Sequence, residues 1–142
     1  MGVLIEGFYL GNKRTRLIHG PSGAELLTDA PRDNAGQGAF FSPTDLVAGA
    51  LGACMMTILG IVAERSEIDL AGMTMRVEKE MRSAPRRIGT LSLVLHLPAR
   101  LPEEQRQKLE SAARTCPVEQ SLHPDISLSV EFLYDVQAPE NP

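Results

Sequence analysis

The chain has 142 residues, 14 Lys and Arg against 18 Asp and Glu, and a formal charge of −4. Its length suits one domain with a real core, residues 1–142, since two would leave about 70 residues each, where cores become marginal. An acidic balance, four Phe, two Tyr and no Trp argue against a surface that tracks phosphates or stacks bases, so no nucleic-acid partner is expected. Two cysteines cannot make a disulfide scaffold, and Met1–Glu6 has neither a basic region nor a signal-length apolar run. The expected compartment is the cytoplasm, where paired thiols do chemistry or bind metal.

In chain order, short strands are expected first. Gly11-Asn12 separates Val3–Leu10 from Arg14–His19, and Gly20-Pro-Ser-Gly23 separates that from Glu25–Thr28. Residues 30–41 read as a loop. Ser42 then N-caps a helix with Pro43 in its first position and Asp45 completing a capping box. The helix should run to about Arg65. From Leu46 to Val62 it carries no charge, but its glycines and alanines make a weak membrane span, and no basic flank anchors it. It reads as a helix covered by protein on every side, with no membrane involved.

Met73, Met75 and Val77 alternate with polar residues in a strand, Ser83-Ala-Pro85 turns the chain, and Leu91, Leu93, Leu95 and Leu97 alternate in another. Pro102-Glu-Glu opens a helix with an apolar stripe of Leu109, Ala112, Ala113 and Cys116. Pro117 interrupts it and starts a short turn through Leu122. The last strand carries Ile126, Leu128, Val130, Phe132 and Tyr134 on one face. The order βββ-α-ββ-αα-β is an α+β arrangement.

Few side chains suggest chemistry by themselves. Cys54, in mid-helix, reads as a small apolar filler unless a cation stabilises its thiolate. Cys116 fits two descriptions, a buried member of the Leu109 stripe or the N-cap of a short helix whose N–H groups favour the thiolate. His19, His96 and His123 lack zinc-site spacing to either cysteine. Arg14 and Arg16 share one face of their strand, Asp45 reads as a capping carboxylate, and no P-loop, nucleophile elbow or dinucleotide fingerprint occurs.

Phe41-Ser-Pro-Thr-Asp-Leu-Val-Ala-Gly-Ala-Leu-Gly-Ala-Cys54, followed by Thr115-Cys-Pro-Val-Glu-Gln-Ser-Leu122, resembles the OsmC/Ohr family of osmotically inducible and organic hydroperoxide resistance proteins. Tyr9-Leu-Gly, Arg14, His19, Ser22-Gly23 and Thr28-Asp-Ala-Pro31 look like one OsmC-like subgroup. The resemblance implies antiparallel sheets around a long buried central helix, in an intertwined homodimer with two active sites at the subunit interface and no metal or organic cofactor. It maps the peroxidatic cysteine to Cys54 and the resolving one to Cys116. It maps the thiolate-stabilising arginine to Arg14, with Arg16 in reserve. The glutamate that holds this arginine in the peroxidase branch is Thr44 here, and the nearest carboxylate, Asp45, lies about 100° further round the helix. The implied function is stress defence by reduction of organic hydroperoxides, with an external dithiol, a small thiol or a lipoyl-type protein, restoring the cysteines. The alternative is a non-catalytic dimer of the same fold that binds a small apolar ligand or senses oxidants.

Overall fold

In the computed structural model, which describes residues 1–138, the chain forms two compact units, Met1–Val47 and a second from Ala48 onward. The first holds a three-stranded antiparallel sheet in the order β1 (Ile5–Gly11), β2 (Arg14–His19), β3 (Glu25–Asp29). Asn12 and Lys13 both have positive φ, 54° and 62°, the conformation whose twist suits a two-residue hairpin. The sheet buries little by itself, and Ile5, Phe8, Tyr9, Leu10, Leu26 and Leu27 remain exposed. The segment read as a loop contains one 3₁₀ turn, Arg32–Asn34, before Phe41 forms a single bridge to Thr28.

Helix α1 (Pro43–Arg65) opens in the first unit and runs on through the second. Its start follows from the sequence. The Asp45 N–H donates to Ser42 Oγ at 3.1 Å, and the Ser42 N–H donates to Asp45 Oδ2 at 2.8 Å, closing the capping box. The helix is long and apolar enough to cross a membrane by length and composition. Ala48, Leu51, Gly52, Met55, Leu59 and Ala63 form its buried stripe.

That stripe joins the core of the second sheet, ordered β4 (Thr74–Arg82), β5 (Arg87–Pro98), β6 (Ser127–Val136). Leu91, Leu93, Leu95 and Leu97 are fully buried, as their alternation requires. Helix α2 (Glu103–Ala113) adds Leu109 and Ala113 to the same core, and α3 (Pro117–Ser121) follows. Tyr134 of β6 fastens α2. Its hydroxyl donates to Glu110 Oε2 at 2.9 Å, and the Arg106 guanidinium lies 4.2 Å from its ring centre. Burial, followed by the Glu110 carboxylate, pushes this phenol well above its ordinary range.

The element order and α+β class are as expected, and one expectation is corrected. The second sheet is mixed, because β5 and β6 pair in parallel. The chain between them passes through α2 and α3, a helical crossover that returns it in the same direction. Within one chain α1 is covered on one side. A three-stranded sheet with one flanking helix covers one side, leaving Val47, Ala50, Ala53, Thr57, Gly60 and Ile61 exposed as a second stripe. The covered side supplies stability. Each fully buried Leu is worth about 1.5–3 kcal/mol, so Leu93→Ala should cost about 2–5 kcal/mol through lost contact and the cavity left behind. A urea unfolding series checks this through a lower midpoint.

Candidate functional site

Cys54 lies on α1 at the border between the buried Leu51–Met55 stripe and the exposed Ala50–Ala53–Thr57 stripe, and is half-buried. One turn of an α-helix spans 3.6 residues, so a residue between two such stripes packs on one flank and opens on the other. Cys116 lies at the α2–α3 junction and is fully buried. Both descriptions read from the sequence hold together. Cys116 continues the Leu109–Ala113 stripe, and its Sγ caps α3 by accepting the Glu119 N–H at 3.5 Å. Ala112, assigned to the same stripe, is only half-buried.

Cys54 packs against the same core cluster that buries Cys116. Burial, followed by the neighbouring Cys54 side chain, pushes the Cys116 thiol up. The N–H groups of Glu119 and Val118 pull the other way and do not win. Capping by itself favours a thiolate, but desolvation decides here. Across this junction Arg114 Nη2 meets Glu119 Oε1 at 2.7 Å, tying the end of α2 to α3 on either side of Cys116.

Arg14 and Asp45 belong to the first unit, the cysteines to the second. Arg14 Nε lies 3.6 Å from Asp29 Oδ2, its Nη2 donates to Gln37 Oε1 at 3.1 Å, and its guanidinium sits over the Phe40 ring, 5.5 Å from the centre. Gly36 makes the loop's path possible, because a Cβ there would land on the Ala30 carbonyl oxygen. Arg16, on the same face as expected, turns to Phe8 and Glu25 instead. Asp45 serves the helix cap.

Sequence reasoning missed Asp29. It is 1% exposed and directly opposite Arg14 in the β2–β3 register. The Ala39 N–H above all, with Arg14 and the N–H groups of Ala30 and Gln37, outweighs burial and holds its carboxyl below the usual range. A charged residue at the end of a strand, two positions before Pro31, was the available signal. The histidines lie elsewhere. His19 pairs with Ser22, His96 with Asp135, and His123 with Arg87. Among the described residues no three His, Cys, Asp or Glu side chains gather as a metal site.

Comparisons with known proteins extend this geometry. The family model described as OsmC-like protein matches residues 36–131. A Psychrobacter arcticus crystal structure, named for osmotic stress induction and detoxification response, is 43% identical with a TM-score of 0.86, covering 90% of this chain and 93% of that one. The Legionella pneumophila organic hydroperoxide resistance protein OsmC is 19% identical with a TM-score of 0.71, covering 94% and 97%. An organic hydroperoxide resistance protein from Elizabethkingia anophelis is 16% identical with a TM-score of 0.75, covering 95% and 97%. The last two likenesses concern the fold. No curated protein matches the sequence.

Two outcomes follow from the burial of these groups. Native alkylation with iodoacetamide at pH 7.5 should modify Cys54 at least about tenfold faster than Cys116, whose buried thiol stays protonated past the ordinary thiol range near 8.5; peptide mapping reads the order. Asp29 contributes stability that is present above its unfolded value of about 3.9 and is lost as pH falls through its lower folded value. Between pH 6 and 3 the urea midpoint of the wild type should therefore fall more steeply than that of Asp29→Asn.

Proposed function

Because the chain belongs to the OsmC-like protein family, we propose that it reduces organic hydroperoxides through Cys54 and Cys116, as a thiol-dependent peroxidase in oxidative or osmotic stress defence. The observation that carries this reading is the pairing of a half-buried thiol on α1 with a fully buried thiol at the α2–α3 junction. Organic hydroperoxide resistance in the names of the Legionella and Elizabethkingia proteins supports it.

The Cys54 thiolate attacks the distal oxygen of the hydroperoxide. The O–O bond breaks, the sulfur keeps the hydroxyl as sulfenic acid, and the alkoxide takes a proton and leaves as alcohol. Arg14 carries the positive charge that favours the thiolate and the departing oxygen. The Cys116 thiol then displaces the hydroxyl from Cys54, giving a disulfide and water and protecting Cys54 from further oxidation. An external dithiol, a small thiol or a lipoyl-type protein, exchanges with this disulfide and restores both thiols. A thiol held protonated until its partner is oxidised suits Cys116, since a second thiolate beside Cys54 would repel the first. Asp45 holds the start of the helix that carries Cys54 and is the nearest carboxylate to the position where the peroxidase branch has its glutamate.

The assembly in this reading is an intertwined homodimer of a single 1–142 domain, acting in the cytoplasm without nucleic acid, membrane, metal or organic cofactor. The exposed α1 stripe from Val47 to Ile61 and the apolar side chains of the first sheet support a second copy as their cover, since large exposed apolar patches mark interfaces. Thr44 favours the second reading, a non-catalytic dimer of the same fold that binds a small apolar ligand or senses oxidants.

A single-turnover assay separates the two. Reduced protein mixed with stoichiometric cumene hydroperoxide should consume about one equivalent, Cys54→Ser should consume none, and Cys116→Ser should accumulate a trappable sulfenic acid. With dithiol in excess the wild type should turn over repeatedly. One equivalent consumed without turnover supports the sensor, and persistence of the peroxide contradicts the peroxidase.

A further inference from the structure

Arg14 is held by a carboxylate for which the reaction above has no use. Asp29 faces it across the β2–β3 pair and is 1% exposed. Burying a carboxylate is costly unless charge and hydrogen bonds hold it, so a buried one commits its surroundings to a single arrangement. Its Oδ2 accepts the Ala39 N–H at 3.0 Å and lies 3.6 Å from Arg14 Nε. Its Oδ1 is buried and has no hydrogen-bond partner among the described residues. Around the same guanidinium, Gln37 Oε1 takes Nη2 and the Phe40 ring takes one face. The Nε edge, one terminal nitrogen and one face are thus fixed, and Nη1 is the terminal nitrogen engaged by neither Asp29 nor Gln37. With 34% of its side chain exposed, Arg14 is oriented without being sealed in.

The geometry points to Asp29 as the positioning residue of Arg14, the buried anchor that aims the guanidinium at an external anion or developing negative charge. This rests on the peroxidase reading for its chemistry, in which that charge is the Cys54 thiolate and the departing alkoxide. Asp29 has two opposed effects. Its charge weakens the field of Arg14, and its fixed place removes the search of a long side chain for one productive orientation. Arginine stays charged whatever its partner, and a misplacement of about 1 Å can cost about a hundredfold in rate, so the orienting effect dominates.

A double-mutant cycle tests this with reduced wild type, Asp29→Asn, Arg14→Ala and the double variant, each mixed with cumene hydroperoxide. Asparagine keeps the shape and one acceptor oxygen for the Ala39 N–H. The second-order rate of peroxide loss should fall about tenfold in Asp29→Asn, with closure of the disulfide unchanged. In the Arg14→Ala background the same substitution should have no further effect, because a residue acting only through Arg14 has nothing left to act on. A rate equal to or above wild type in Asp29→Asn, or an equal loss in both backgrounds, overturns the proposal.

A second readout needs no peroxide. In ¹⁵N-labelled protein the Arg14 Nε resonance should move when Asp29→Asn removes the carboxylate charge 3.6 Å away. If wild type consumes no peroxide, the peroxidase reading fails and this shift alone decides the positioning. An Arg14 Nε resonance unmoved in Asp29→Asn overturns the claim that Asp29 holds Arg14.

Discussion

An apolar helix of 23 residues must be covered, and the placement of the thiols follows from how much of it one chain covers. Leu51, Met55 and Leu59 sink into the leucines of β5, which fixes the rotation of α1 about its axis. That rotation puts Cys54 on the border of the covered side. The same leucines receive Leu109 and Ala113 of α2, and the stripe that seats α2 ends at Cys116. One hydrophobic core therefore brings together two cysteines 62 residues apart in sequence (116 less 54). The exposed stripe on the other side of α1 is the remainder of the same problem, and a second copy is its proposed solution.

Burial acts with opposite results on two acids. At Cys116 desolvation outweighs the capping N–H groups and keeps the thiol protonated. At Asp29 the Ala39 N–H and its helpers outweigh desolvation and keep the carboxylate charged. The difference lies in the partners. Sulfur is a weak acceptor at 3.5 Å from its donor, and its neighbour is another thiol. The carboxylate has a good donor at 3.0 Å and a permanent cation beside it. In the proposed reaction one group waits as a thiol and the other keeps an arginine in place.

The sequence made local features legible. Ser42, Pro43 and Asp45 announce the start of α1, Gly11-Asn12 the first hairpin, and the alternating leucines the inward face of β5, because each rests on neighbours in the chain. Pairing direction did not follow, since alternation is the same in parallel and antiparallel strands and only the crossover through α2 and α3 decides it. The cover on α1 was half legible. An unbroken apolar surface shows that something must lie on every side, but not how much of it the same chain supplies. The site divides in the same way. Cys54 and Cys116 stood out through the resemblance of their flanking motifs, and Arg14 through its subgroup pattern. Asp29 did not, because a β-strand register sets its meeting with Arg14, and register lies in no single segment.

The central claim is that Cys54 and Cys116 of one chain form a redox couple. The most direct test is a non-reducing peptide map after one equivalent of organic hydroperoxide, with the intact chain weighed in parallel. The account predicts a linked pair of peptides containing Cys54 and Cys116, a chain lighter by about 2 Da for the two hydrogens lost, and no covalent link between chains. Cys54 carried on to sulfinic acid while Cys116 stays free, or both thiols still open to alkylation, would contradict it.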